Sequence, residues 1–490
     1  FSSRRRHTRS FHVTGVQTCA LPIFFGLCLI LLHYQAALKT WFYREDSRYF
    51  SNGIFSPYDL IQVFFTPQNA MGHYRPITKL FWGLPEWLGV NSAVHYHLIL
   101  LGYLLLATYF LARLSYLLYG NFLLSIFAGF FWAMAPVNAK PVYWICANQD
   151  LSAVLFVLSA LTFRIEQWRK PQHRVRYRRL CLLSVFLALS SREIGFAGSL
   201  LLPFVDWIHG KWKKSWDFLA LWLAFFFLVF LISPPFSRAK VTPAFSSLFS
   251  FSAMKGFWTY SLSSFWTLGD AFQLSYPLSL NWITAILLLT VGFGAFLHRT
   301  LRLPLLLALA GITPFLLIQA FSVEYANLFC AGLCLSFSGV LSYALRRRNE
   351  IPAVQVACLI ASMGALSFYY FYLEGSRHVY KNNYMERSLL LKSFMDGLRE
   401  YSLTLPPYKA IRLVDLGTYK ESEARDSHHF IPSGLDTLAP ERVFQIAATV
   451  LNSGEGTQMR DPKSPLWIHA YPNISEPIFI RYTAKGFQHE

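Results

Sequence analysis

The stretch "TWFYREDSRYFSNG", residues 40–53, follows an apolar run and sets Glu45 and Asp46 between Arg44 and Arg48. An ionised carboxylate at the rim of such a run can act as general base on an acceptor hydroxyl. The plainer reading is that the charges end a helix. Further on, "MGHYRPITKLFW" (71–82) carries His73, Tyr74 and Arg75. A guanidinium there can grip two phosphate oxygens in a planar fork, with Pro76 stiffening the backbone beside it. The alternative for Arg75 is a structural pairing with Glu45 or Asp59. His73, together with His95 and His97 of "NSAVHYHL", raises a metal reading. Histidines entering a helix commonly make interfacial polar contacts, however, and no cysteine or histidine spacing in the chain matches a zinc site. No metal or other cofactor is therefore assigned.

Two further constellations lie deeper in the chain. In "APVNAKPVYWICANQDLSAVLF" (135–156), Asp150 stands beside Asn148 and Gln149 at the start of an apolar run, where it is a candidate helix cap. "SSREIGFAG" (190–198) inserts Arg192 and Glu193 into apolar sequence, where ionisable groups are costly unless paired or wet. The plain account is an ion pair between those two neighbours. A last acid, Glu324, sits in "SVEYANLF" (322–329) between two apolar runs. The chain has neither a Walker loop nor a G-x-G-x-x-G turn after a strand. A group transferred at these residues would then come from a lipid carrier rather than a nucleotide.

The elements that must position these groups are mostly apolar helices. Of 490 residues, 54% are hydrophobic and only 14% charged, with 45 phenylalanines; soluble domains carry about 25% charged residues. Runs of sufficient length give about eleven expected spans: 23–40, 94–117, 121–136, 151–167, 180–192, 195–208, 216–233, 281–297, 303–320, 326–345 and 352–372. The formal charge of +18 lies in the membrane half, which argues against a nucleic-acid partner. Basic residues crowd the short loops at 169–179, 211–214, 299–302 and 346–348, which the positive-inside rule assigns to the cytoplasm. Loops 41–93, 137–150 and 234–280 and the tail 373–490 then face the periplasm or the cell exterior. Reporter fusions after Arg179 and Arg348 should read cytoplasmic, and those after Gly53 and Lys409 external; an external reading at Arg348 breaks the eleven-span arrangement.

The expected organisation has three parts. Residues 1–23, with Arg4, Arg5, Arg6 and Arg9 and no apolar core, resemble translated sequencing-adapter read-through and are expected to be non-native. Residues 24–372 form an α-helical polytopic membrane domain. Residues 373–490 form a small extracytoplasmic α/β or α+β domain, with helices in "NYMERSLLLKSFMDGLREY" and "APERVFQIAATVLN" and strands in "AIRLVDL", "PLWIHAY" and "PIFIRYT".

Taken in order, the acidic pair, "YRPIT", "PV…VYWI…D", "SREIG" and the outer glutamate resemble polytopic GT-C glycosyltransferases. The nearest likeness is to the protein O-mannosyltransferases, particularly the transmembrane type that modifies cadherins, and to their bacterial relatives. The resemblance covers roughly residues 24–345. It implies a GT-C-like fold, a polyprenyl-phosphate-linked sugar donor, and a catalytic base in the first outer loop. By it Asp46 is the base with Glu45 beside it, and Arg75, Tyr74 and Arg192 hold the donor phosphate. His73, Asp150, Glu193 and Glu324 support them, and the acceptor is a protein or glycolipid. The chain departs from the family pattern at Ala135-Pro136 (for "HP"), Lys140 (for a glutamate), Ala147-Asn148 (for "GR") and Glu324-Tyr325 (for "ER"). Its tail lacks tetratricopeptide repeats, so no cadherin-like acceptor is implied. A lipid-linked glycan transporter and a non-catalytic membrane scaffold are the competing readings.

Overall fold

A computed structural model describes residues 22–42, 57–65, 74–88, 90, 92–211, 215–232, 298–317 and 326–345. It also describes short strands at 410–413, 429–432, 477–483 and 486–489, and isolated positions at 258, 285–286, 288–289, 292 and 392. The expected spans 281–297 and 352–372 fall mostly or wholly outside these residues. So do both expected helices of the tail apart from Lys392, and the expected strand at 465–471.

Helix dominates. In chain order the described helices are α1 (Pro22–Lys39, its last turns 3-10), α2 (Pro57–Gln62), α3 (Pro76–Trp87), α4 (Ala93–Tyr119), α5 (Phe122–Met134), α6 (Ala139–Tyr143) and α7 (Asn148–Arg169). There follow α8 (Arg174–Leu189), α9 (Glu193–Ser199), α10 (Leu201–Ile208), α11 (Trp216–Ile232), α12 (Arg302–Leu317) and α13 (Asn327–Leu345). Among the described residues three helices, α1, α4 and a segment Ile145–Arg169 containing α7, are long and apolar enough to cross a membrane. A fourth crossing is formed if α5 and the bent segment Pro136–Tyr143 are one broken span.

Local chemistry explains where the helices stop. α5 ends at Met134 because Ala135 precedes Pro136, and a residue before proline is driven out of the helical region. The chain bends by 53° there. The carbonyl of Trp132 freed by the break accepts from Ala135 N (3.0 Å) and Asn138 Nδ2 (2.6 Å). The expected span 195–208 is likewise two helices. Pro203 lacks an N–H and fits only the first turn of a new helix, which starts at Leu201. α8 begins earlier than expected, at Arg174, so the basic residues Arg174, Arg176, Arg178 and Arg179 ride on its first turns.

α7 is the central post, with 94% of its apolar window buried against 39% for α4 and 33% for α1. It packs on α4, α8, α9 and α10. Helix association in lipid depends on close packing rather than on hydrophobic transfer, and α12 and α13 show the consequence. A Cβ at Gly332 would lie 2.4 Å from Ala308 N, and one at Gly311 would lie 2.6 Å from Phe329 N. Backbone cannot yield as a side chain can. Gly332→Ala is therefore expected to destabilise the purified protein by about 1–3 kcal/mol, read as a lowered thermal unfolding temperature in detergent; an unchanged temperature would mean that the two helices separate freely.

Cross-helix contacts sort into two ends of the bundle. At one, Tyr34 donates to Ala133 O (2.9 Å), Trp132 Nε1 to Asn327 O (3.0 Å), and His97 Nδ1 lies 2.9 Å from Val142 O. At the other, Arg113 holds Glu166, Ser115 meets Ser338 (2.8 Å), Arg178 meets Asp217, and Tyr119 packs on Leu301. Most of the described residues of the cation-rich segments gather at this second, basic end.

The strands form one mixed sheet, in the order β2-β1-β3-β4. β1 (Ala410–Leu413) runs antiparallel to β2 (His429–Pro432) and parallel to β3 (Pro477–Thr483), which pairs antiparallel with β4 (Gly486–His489). β1 and β3 coincide with "AIRL" and "PIFIRYT".

Candidate active site

The end of the bundle opposite the basic loops draws together three sequence motifs far apart in the chain. α3 starts at Pro76, and Ile77 N donates to Ser190 O (3.2 Å), tying the "YRP" turn to the α8–α9 junction. Arg75 Nη1 donates to Gln149 Oε1 at 2.7 Å. Arg192 forms an ion pair with Asp150 across the same gap, both side chains buried (8% and 2% exposed). The segments "HYRPIT", "ANQD" and "SSRE" thus meet.

The pairing revises the sequence-based readings of these residues. Asp150 does not cap α7: the cap position is Ala147, without a side-chain bond, and Asp150 lies in the first turn. There its negative charge complements the positive end of the helix dipole. Arg192 reaches across to Asp150; the side chain of Glu193 lies outside the described residues. It stands in extended conformation as the residue before α9. The turn is tight at Gly195, where a Cβ would fall 2.1 Å from Ala188 O. Any larger residue there would push α9 from α8 and carry Arg192 away from α7.

Two lysines lie on the neighbouring helices α3 and α6. Lys79 is nearly buried on α3, and burial lowers its pKa from the ordinary lysine value. Lys140, at the position where the family resemblance calls for glutamate, places its ammonium 5.0 Å from the centre of the Trp144 ring. Arg75 and Arg192 reach the first turn of α7 through Gln149 and Asp150, and the helix dipole adds partial positive charge there. Such an arrangement suits an anion.

Tyr74 is placed differently from Arg75. Its hydroxyl donates to Phe64 O (2.8 Å) and its ring meets Phe225 edge-on at 5.7 Å. Burial pushes its pKa up to about 12, so the hydroxyl remains a donor. It thereby anchors the α2 segment beside α11. His97 is buried against Val142 O, and exposed His95 bonds Ser92 Oγ (2.6 Å). Among the described residues, no three His, Cys, Asp or Glu side chains group as metal ligands. Glu45, Asp46, His73 and Glu324 lie outside the described residues, and Glu193 is described only as the first residue of α9.

Sequence reasoning passed over Gln149 as a partner for Arg75 and overlooked a second buried network at the basic end. There Arg164 grips Asp206 through Nε (2.7 Å) and Nη2 (2.5 Å), while Trp168 Nε1 (3.0 Å) and Ser215 Oγ (2.6 Å) also donate to that carboxylate. Arg164 and Asp206 are fully buried. The signal was available: "LTFRIEQW" and "LPFVDWI" place charges inside apolar runs, the pattern that singled out Arg192. Comparison with protein-family models, with curated proteins and with solved structures gives no match, so these residues carry the functional reading by themselves.

Proposed function

We propose that the chain is an integral-membrane glycosyltransferase that moves a sugar from a polyprenyl-phosphate carrier to a protein or glycolipid acceptor on the outer face of the membrane. The observation that carries this reading is the meeting of Arg75, Gln149, Asp150 and Arg192 at one end of an apolar bundle. The acceptor oxygen attacks the anomeric carbon, the bond from that carbon to the phosphate oxygen breaks, and the phosphate leaves on its lipid. Asp46 takes the acceptor proton. Arg75 and Arg192 stabilise the charge that develops on the leaving phosphate, which is where preorganised donors contribute most.

A glycan transporter would need charged groups leading from one end of the bundle to the other. Along α7, the central helix, no ionisable residue lies between Asp150 and Arg164. At 1.5 Å per residue that separates the two polar clusters by about 20 Å. The transferase reading also extends to the small tail: its sheet would belong to an extracytoplasmic domain beside the acceptor.

Membranes containing the protein should transfer label from a polyprenyl-phosphate sugar to endogenous acceptors, and membranes lacking it should not. Equal incorporation in both would remove the reading. Gln149→Ala tests the geometry more finely. Losing the acceptor that orients Arg75, a charged hydrogen bond of about 1.5–3 kcal/mol, should raise the donor KM about tenfold with kcat little changed. A fall in kcat alone would place Gln149 elsewhere in the mechanism.

A further inference from the structure

A cleft of about 470 Å³ opens between α1, α4 and α5, remote from the Arg75–Asp150 cluster. Its walls are apolar: Leu27 and Ile30 from α1, Leu105 and Tyr109 from α4, and Ile126 and Phe130 from α5. Of the four hydroxyl-bearing residues that line it, Thr108, Tyr109, Tyr116 and Ser125, the two aliphatic ones are satisfied within their own helices. Thr108 Oγ1 donates to Leu104 O (2.7 Å) and Ser125 Oγ to Asn121 O (2.5 Å). Thr108 and Ser125 thus offer no free donor to hold water, and the predominantly apolar lining favours an apolar occupant.

The cleft has a polar end. Arg113 lines it with 30% of its side chain exposed, while its Nε and Nη2 hold Glu166 Oε1. Lys170 shares the same carboxylate, and Arg169 donates to Leu117 O beside it. Arg113, at the cleft, and Lys170 thus share one acid, and Arg169 adds a third cation near the same end of α4. On α1 the lining runs from Ile23 to Ile30. At 1.5 Å per residue that is about 10 Å, within the roughly 15 Å of hydrocarbon belonging to one leaflet. Ile23, Leu27, Tyr109 and Phe122 at the rim are all exposed, so in a membrane the opening faces lipid chains.

From these features we propose that the cleft binds one acyl chain of an anionic glycerophospholipid from the leaflet at the basic end, with the headgroup phosphate beside Arg113. The inference depends on the chain being embedded in a membrane, not on the transferase reading. Anionic lipid is drawn to clustered cations at the membrane surface, and the apolar slot then holds the chain. The site is distinct from the proposed donor site, which lies at the opposite end of the bundle.

The test uses the full chain reconstituted in bilayer discs of phosphatidylglycerol and phosphatidylcholine, then extracted into detergent and weighed intact by mass spectrometry. Wild type should retain phosphatidylglycerol in preference to phosphatidylcholine. Leu27→Trp, at a partly exposed position that fills the slot, should lose the retained lipid. Arg113→Gln should retain lipid without headgroup preference; thermal unfolding of both variants checks that they are folded. Equal retention of the two lipids by wild type, or undiminished retention by folded Leu27→Trp, overturns the proposal. So does lipid retention that appears only after residues 1–21 are deleted, since the occupant would then be the chain's own N-terminal segment. Displacement of phosphatidylglycerol by equimolar polyprenyl phosphate also overturns it, by giving the cleft to the donor.

Discussion

Replacing Asp46 with Asn should lower sugar transfer by about 10²-fold or more while leaving normal protein levels in the membrane. The substitution keeps size and polarity and removes only the capacity to accept a proton. Asp46 itself lies outside the described residues. The preceding segment is anchored at Phe42, which packs on Trp82 of α3 (6.5 Å) and Tyr96 of α4 (5.7 Å). Asp46 is four residues further on, a reach of about 14 Å at most. Glu45→Gln is the necessary companion, because the two carboxylates are adjacent. Loss of transfer in Glu45→Gln with full activity in Asp46→Asn would move the base by one residue. Full activity in both would leave these acids with no task beyond ending α1. Arg75→Lys keeps the charge but not the fork, so it should chiefly weaken donor binding.

The largest effect on stability is expected at the other end of the molecule. Asp206→Ala leaves the buried Arg164 guanidinium without its bidentate partner, and breaking a buried pair in this way costs about 3–5 kcal/mol. Trp168 Nε1 and Ser215 Oγ lose their acceptor at the same time. Pairing the change with Arg164→Met should recover much of the loss, because well-packed apolar replacements of a buried pair are commonly neutral or better. Denaturation in detergent measures both variants. Stability equal to wild type in Asp206→Ala would mean that Asp217, 3.9 Å from Arg164 Nη1, takes over the charge. Transfer per folded molecule should be unchanged in the double variant, since this network lies a helix length away from Arg75 and Asp150.

Much of the helical scaffold was legible in the sequence because apolar length is a local property. The run at 23–40 reappears as α1, shifted by one residue, and those at 94–117 and 151–167 reappear within α4 and the α7 segment, each extended by a few residues. The breaks at Pro136 and Pro203 went unread within the expected spans 121–136 and 195–208, although proline removes a donor wherever it stands. The types of residue able to do chemistry were equally visible, as charges inside or beside apolar sequence. Their partners were not. Arg75 and Gln149 are 74 residues apart, and Arg164 and Asp206 are 42 apart. Periodicity tells which residues share a helix, not which helices become neighbours. Asp150 read as a cap because local rules offer only local partners. Tertiary packing brought the start of α9 against the start of α7, and burying both charges made their pairing with each other the cheaper state.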